Sequence, residues 1–494
     1  MTINHPLLIP VAIAIIAGAL LPIAFAPFNF YFIAILSLTT LFILVLKKSP
    51  RSAFILSYLY SFAYFGIGVY WLHISINLFG GVNLFGALFF TYALVAFISL
   101  YPALAIYLSR KMFPHHSIFA LPVLWTLFEW LRGWLFTGFP WLNLGTSQTD
   151  SILKAFIPII GDYGTTLVIT TLSAAIVIIT HYKQHRLYAV VFIGCIITAA
   201  SWFAPYQWTT PKENQLSVNM VQGAIPQEDK WKSEFRQHTL NTYLNQSNFN
   251  LGTDLIIWPE TAIPSLYHLA EDFLKPIQES LDKNTVFMSG IAYQDQISQL
   301  YFNSILVIDD KHQFYNKSHL VPFGEYMPFK HLFDRILRFL NIPMSDFTPG
   351  NAESKIIYTD KGVFGMSICY EDAYATIFKK SMPEANLFIN VSNDAWFGDS
   401  FAPHQHLQIA RMRAIENQRY LLRATNTGIS AIIDHQVKIV ARSPQFKPYS
   451  LTGNVTLYEG STPYSRYGNL PTLLICLHIL IILLVIKRKR LSTQ

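Results

Sequence analysis

Long apolar runs fill the amino-terminal part of this chain and return once near its carboxyl end. They stand at Leu7–Phe25, Phe32–Leu46, Phe54–Ile76, Leu84–Leu108, Ile118–Phe136, Ile157–Thr180, Leu187–Phe203 and Leu470–Ile486. Most approach the ~20 residues with which a helix crosses the hydrocarbon core of a bilayer, the second being short. Backbone in lipid must satisfy its own polar groups, so runs of this kind form helices. The first run lacks a basic flank and a small-x-small cleavage site, and reads as a retained helix rather than a signal peptide. The expectation is a polytopic α-helical membrane bundle of about eight spans. Of the 494 residues 52% are hydrophobic and 13% charged, which argues against an ordinary soluble core.

The basic residues orient the bundle. Lys47, Lys48 and Arg51 follow the second run, Arg110 and Lys111 the fourth, Lys183 and Arg186 the sixth, and Lys487-Arg488-Lys489-Arg490 the last. The alternate loops are nearly free of Lys and Arg, Lys154 excepted. Basic loops stay on the cytoplasmic side, so both termini are expected there and the long segment between the last two runs outside, in the periplasm of a Gram-negative cell. The net charge of +7 thus reflects membrane orientation and not a nucleic-acid partner. Three parts follow: transmembrane helices one to seven in 1–204, a periplasmic domain in 205–465, and a last helix with a basic tail in 466–494. Within the fifth run, Glu129 and Arg132 lie three apart on one helix face, where ionisable groups are costly and usually paired. Trp141, in the turn that follows, reads as an interfacial aromatic on the outer side, either a plain anchor or part of a lipid entrance.

In the long insert the pattern changes to strands alternating with helices, an α/β layered domain. Strands are expected at Leu216–Val221, Leu255–Trp258, Val286–Gly290, Tyr301–Ile308, Gln313–Ser318, Val363–Ile368 and Leu387–Val391, with Ile429–Ile433 opening a last hairpin. Helical stretches are expected over Trp231–Asn245, Leu269–Leu281 and His404–Asn417. His404 and His406 lack a supporting ligand pattern, so no metal is expected.

Cys195 and Cys476 lie inside apolar runs. That leaves Cys369, at the end of Val363–Ile368, without a disulfide partner in the insert. A lone cysteine in an apolar run is commonly a small buried hydrophobe. Two other polar residues stand at comparable strand ends: Glu260 after Leu255–Trp258, and Lys317 after Gln313–Asn316. Strand ends meet at one edge of a sheet, the usual place for a site in α/β folds. The three types are complementary. A thiol needs a base, which a carboxylate can be; an ammonium lowers the thiol pKa and stabilises an oxyanion. The backbone N–H of Tyr370 would be a second oxyanion donor. Glu and Lys are common residues, and spacing alone leaves a chance grouping open.

Trp258-Pro259-Glu260-Thr261, the stretch Asn316–Glu325 and Ile368-Cys369-Tyr370-Glu371 resemble the Glu, Lys and Cys signatures of the nitrilase superfamily. Joined to a membrane bundle, and with Gly138-Phe139-Pro140-Trp141, Val221-Gln222-Gly223, Lys230-Trp231, Asn393–Asp399 and Ala410–Ala414, they resemble one family, the apolipoprotein N-acyltransferases of the bacterial inner membrane. Phe401-Ala402-Pro403 and Ile409 depart slightly from its wording. The resemblance implies an αββα sandwich and a reaction in two halves. A phospholipid, typically phosphatidylethanolamine, gives its sn-1 acyl chain to Cys369 as a thioester. The α-amine of an S-diacylglyceryl cysteine at the amino terminus of an apolipoprotein then takes it. Glu260 would be base and acid, Lys317 oxyanion stabiliser and Cys369 nucleophile. Glu325 and Glu371 would orient Lys317 or the amine, or merely pair loops. Tyr370 would line the thioester pocket, and Trp231 and Trp396 would approach the lipid entrance. No cofactor is implied, because the donor is already an ester. Phe323–Pro349 is a candidate gating segment. The same triad would serve a membrane-tethered amidase, and a transporter or receptor would need none of it.

Overall fold

The computed structural model of the chain describes residues 8–247, 249, 252–326, 346–351, 353 and 355–492. The candidate gating segment therefore lies largely outside the described residues. Two compact units are present. One comprises Met1–His73, Phe85–Tyr206 and Tyr467–Gln494, the other Ile74–Leu84 and Gln207–Arg466.

Among its described residues the second unit carries thirteen strands: β1 (Thr209–Gln222), β2 (Leu255–Ile257), β3 (Ile263–Leu266), β4 (Val286–Gln294), β5 (Tyr301–Ile308), β6 (His312–Asn316), β7 (Ile356–Thr359), β8 (Gly362–Ile368), β9 (Leu387–Ser392), β10 (Leu421–Thr425), β11 (Ala431–Ile433), β12 (Ile439–Arg442) and β13 (Tyr449–Gly460). A seven-stranded sheet has the order β13-β1-β2-β4-β5-β6, with β3 beside β4; a six-stranded sheet has the order β12-β11-β10-β9-β8-β7. In the first sheet β1, β2 and β4 are parallel, and the antiparallel meander β4-β5-β6 returns β6 to the same direction. The carboxyl ends of β2, β4 and β6 thus share one edge. In the second sheet β8, β9 and β10 are parallel.

Period-2 alternation sends side chains to two faces of each sheet. Leu216, Val218 and Met220 of β1 join Phe364, Met366 and Ile368 of β8 and Leu387, Ile389 and Val391 of β9 in one core between the sheets. The opposite face of the first sheet, including Val221, Ile256 and Phe287, packs on Leu240 and Tyr243 of helix Arg236–Ser247 and on Phe273 and Ile277 of helix Glu271–Ser280. Phe388, Leu421 and Ile433 of the second sheet pack on Ile377 and Phe378 of helix Ala375–Ser381 and on Leu407, Ala410 and Ala414 of helix Ala402–Asn417. The layers are therefore αββα.

In the first unit, helices stand where each apolar run is, but not all at full span length. Among the described residues, four are long and apolar enough to cross a membrane: Leu84–Met112, Ile152–His181, Lys183–Phe203 and Leu470–Arg490. A fifth is counted if Pro50–Gly68 and Leu72–Leu78, bent by 55°, form one span. Leu8–Ala24 and Phe32–Val45 are shorter apolar helices, and Ser117–Arg132 has 16 residues. Leu187, Tyr188, Val191, Ile197 and Trp202 leave their side chains exposed along one helix.

Glu129 and Arg132 are both buried but do not neutralise each other by direct contact. Glu129 accepts from Thr166 Oγ1 at 2.5 Å and from the Leu144 N–H at 3.3 Å. Arg132 donates to the carbonyls of Phe139 and Trp141 at 2.6 and 2.8 Å and to Asn143 Oδ1 at 2.7 Å. The two charged groups staple the turn after their helix. In that turn the Trp141 ring is buried against Trp71, with centroids 5.3 Å apart.

Candidate active site

The strand ends carry the expected trio, but not on one sheet. Glu260 and Lys317 follow β2 and β6 at one edge of the first sheet, whereas Cys369 follows β8 of the second. The site therefore lies where the two stacked sheets end. Each residue is held by a local device. Pro259 directs its carbonyl to the Gly290 N–H at 3.1 Å, fixing the turn that carries Glu260. A Cβ on Gly290 would lie 2.6 Å from the Glu260 Cα, so only glycine admits this turn. Lys317 is tied by its N–H to the Asn303 carbonyl at 2.8 Å, and its carbonyl receives the Gly350 N–H at 2.7 Å. Cys369 has φ +51°, a left-handed conformation unfavourable for a residue with a Cβ. Such outliers cluster at functional sites, where the surrounding structure holds them.

Glu260, Lys317 and Cys369 are all buried. Lys317 Nζ lies 2.9 Å from Glu325 Oε1 and 3.6 Å from Glu260 Oε1. The Asn303 amide donates to both of these oxygens at 2.8 Å. Glu325 Oε2 accepts the Val321 N–H at 2.8 Å. The second Glu260 oxygen, Oε2, is buried and has no hydrogen-bond partner among the described residues. Burial works against the Lys317 ammonium, but Glu325 and Glu260 outweigh it and hold the pKa well above the ordinary value. Burial pushes the Cys369 thiol well up, and Glu260 adds to this against the opposing pull of Lys317. Lys317 pulls the thiol pKa down as the trio suggests, but burial and Glu260 outweigh it. Its charge is already held by Glu325, and the thiol needs a base.

Glu371 is buried and accepts five hydrogen bonds. Oε1 takes the Ser318 N–H and hydroxyl at 2.8 Å each and the His319 N–H at 3.0 Å; Oε2 takes the Tyr315 hydroxyl at 2.8 Å and the Ile368 N–H at 2.9 Å. It ties the segment after Lys317 to the strand before Cys369, and touches neither the Lys317 ammonium nor the thiol by hydrogen bond. Tyr370 lies against His319 and Tyr374, with ring centroids 6.2 and 5.2 Å away. Burial and the Lys317 charge lower the His319 pKa to about 4. Trp231 is exposed, and Trp396 packs edge-on against Phe79 with centroids 4.8 Å apart.

Two features escaped the sequence reading. Lys230 is 2% exposed and donates to the Glu260 carbonyl at 3.0 Å. Its only sequence signal is its place beside Trp231. Behind Cys369, His406 sits between two carboxylates: Nε2 is 2.8 Å from Asp372 Oδ1, and Nδ1 is 2.8 Å from Asp394 Oδ1. Arg423 bridges the same acids at 2.8 and 3.1 Å, and its Nη2 lies 2.7 Å from His406 Nδ1. The cluster reaches the turn after β8 through the Cys369 carbonyl, 3.3 Å from His406 Nε2 and 3.4 Å from the Asn390 amide. Burial and Arg423 oppose the imidazolium, yet Asp372 and Asp394 raise the His406 pKa to about 9. His406 thus joins Asp372, Asp394 and Arg423 in one buried hydrogen-bonded cluster.

Two mixed sheets stacked between helices, with a buried thiol, lysine and carboxylates at their ends, define a nitrilase-like fold, and residues 217–459 match the pattern described as carbon-nitrogen hydrolase. Residues 17–175 match the apolipoprotein N-acyltransferase N-terminal domain. The chain is 38% identical over 489 residues to the apolipoprotein N-acyltransferase of Methylococcus capsulatus, covering 98% of this chain and 97% of that one. It is 36% identical to the Coxiella burnetii protein of the same name, covering 93% and 96%, and 36% identical to that of Vibrio cholerae, covering 95% of each. The chain belongs to the apolipoprotein N-acyltransferase family.

Proposed function

We propose that the protein transfers the sn-1 acyl chain of a phospholipid, phosphatidylethanolamine among them, to the α-amine of the S-diacylglyceryl cysteine of apolipoproteins. The observation that carries the mechanism is the asymmetry of Glu260. Asn303 and Lys317 hold Oε1, while Oε2 is buried and unpartnered, a ready acceptor for a proton. Glu260 takes the Cys369 proton as sulfur attacks the ester carbonyl. Lys317 and the Tyr370 N–H receive the developing oxyanion. The ester C–O bond breaks, the lysophospholipid alkoxide takes the proton from Glu260, and a thioester remains. In the second half the lipoprotein amine gives a proton to Glu260 and attacks the thioester, which returns the thiol. This is ping-pong chemistry on a Glu-Lys-Cys triad. Glu325 and Asn303 align Lys317 with Glu260, and Glu371 holds together the loops that carry Lys317 and Cys369. Trp231 and Trp396 are assigned to the lipid entrance.

Both substrates keep their acyl chains in the bilayer, so a thiol near the outer headgroups suits the reaction. We accordingly assign the three parts 1–204, 205–465 and 466–494 to a bundle, a periplasmic catalytic domain and a last helix. About eight crossings leave both ends cytoplasmic. Exposed apolar side chains along Lys183–Phe203 support lipid contact there. The test is conversion of a diacylglyceryl lipopeptide to its triacylated form by purified protein in phospholipid micelles. Cys369→Ala should abolish it. Ammonia release from small amides with no lipopeptide product would favour the tethered amidase instead.

A further inference from the structure

We propose that Lys230 is the second cation of the site, its ammonium anchored on the Glu260 carbonyl so that its charge balances Cys369 once the thiol gives up its proton. This rests on the acyl-transfer reading above. Lys230 lies in the loop after β1 and is buried; Nζ donates to the Glu260 carbonyl at 3.0 Å, its one hydrogen bond among the described residues. No carboxylate oxygen of the described residues pairs with it. Lys317 differs: Glu325 at 2.9 Å and Glu260 at 3.6 Å flank it.

The charges of the site explain why a second cation is needed. The site brings two carboxylates, Glu260 and Glu325, together with two amines, Lys317 and Lys230, and the Cys369 thiol. In acylation the S–H bond breaks, the proton moves to Glu260, and the S–C bond forms to the ester carbon. The negative charge has then left Glu260 for sulfur, and next for the carbonyl oxygen. Lys317 still faces Glu325. Lys230, which pairs with no carboxylate oxygen of the described residues, is the cation whose field remains to act on the new anion. In a low-dielectric interior such a field is far stronger than in water. Burial draws the Lys230 pKa down to about 8, while the negative charge of Glu260, and of Cys369 when it ionises, pulls it back up.

The test is the rate at which iodoacetamide alkylates Cys369 across pH in the full-length protein in detergent, followed on the Cys369 peptide by mass spectrometry. Alkylation needs the thiolate but no lipid and no acyl transfer, so it separates this proposal from the functional reading. For Lys230→Met the profile should move up by about one pH unit, about tenfold slower alkylation at pH 7. Lys230→Arg should keep the wild-type position or move lower. Acyl transfer should fall in the same order, in kcat rather than KM. A Lys230→Met profile superimposed on wild type overturns the proposal, because a merely structural lysine changes protein yield and not the profile. Should Lys230→Met not fold, a Lys230→Arg profile displaced upward overturns it equally. Shifted alkylation without lipopeptide acylation by the wild type would instead count against the acyltransferase reading alone.

Discussion

Replacing Glu371 by Gln keeps the size of the side chain and removes its charge, and the hydrogen bonds of Glu371 set the cost. The amide group must stand where one of two oxygens stood. At Oε1 it would face the Ser318 and His319 N–H groups; at Oε2 it would face the Ile368 N–H and the Tyr315 hydroxyl. The second orientation is cheaper, because the Tyr315 hydroxyl can turn and accept. It still orphans the Ile368 N–H and weakens the remaining bonds by removing charge. A bond to a charged acceptor contributes about 1.5–3 kcal/mol, and a buried donor left unmade costs about 1–3 kcal/mol. The sum is about 2.5–6 kcal/mol, against a typical total stability of about 5–15 kcal/mol. For a domain of this size that corresponds to a Tm lower by about 5 °C or more. Near-ultraviolet circular dichroism of the purified proteins during heating measures it, alongside initial rates of lipopeptide acylation. Both should fall, because Glu371 joins the loops of Lys317 and Cys369. A variant within about 2 °C of wild type and fully active would refute the assignment of Glu371 as the tie between them.

Gly290→Ala should reduce acylation by tenfold or more while the protein still folds, since its Cβ would lie 2.6 Å from the Glu260 Cα and must displace that turn; an active Gly290→Ala enzyme would show that the Glu260 position tolerates movement. The cluster behind Cys369 should give stability a defined pH window. The His406 pKa is raised from 6.5 to about 9, so its contribution is complete below pH 6.5 and is lost as pH rises toward 9. The Asp394 pKa is lowered from 3.8 to about 2, because Arg423 and His406 outweigh its burial; that contribution is complete above 3.8 and lost as pH falls toward 2. Thermal unfolding across pH should therefore decline between 6.5 and 9 in wild type, and a His406→Gln variant that keeps the same alkaline slope would contradict this. For topology, Lys283→Cys, at an exposed position of the second unit, should react with a membrane-impermeant maleimide in intact spheroplasts; labelling only after lysis would reverse the assigned orientation.

The sheets were legible where strands carry local signals. Tyr301–Ile308 stands as a strand where the sequence indicates one. β10, which begins right after a helix, and β13, whose polar residues lie on an exposed edge, offer no comparable pattern; their strand character comes from pairing with β9 and β1. The trio was legible as residue types at strand ends, but not its division between two sheets, which depends on long-range stacking. Glu325 was legible only through the family motif. Lys230, Asn303 and Arg423 were not readable as site residues, because a buried polar side chain declares itself only when its partners are known. The short helices Leu8–Ala24 and Phe32–Val45 show the converse: the apolar runs mark them to within a residue at each end, but neither reaches full span length.

The most direct measurement of all is the covalent intermediate. Purified protein is incubated with phosphatidylethanolamine carrying a labelled sn-1 acyl chain, without lipopeptide, then digested and analysed by mass spectrometry. The mechanism requires one acyl group on Cys369, released by neutral hydroxylamine and by added diacylglyceryl lipopeptide, and absent from Cys369→Ser under these conditions. A preparation that triacylates lipopeptide while its Cys369 never carries the acyl chain would contradict the thioester mechanism.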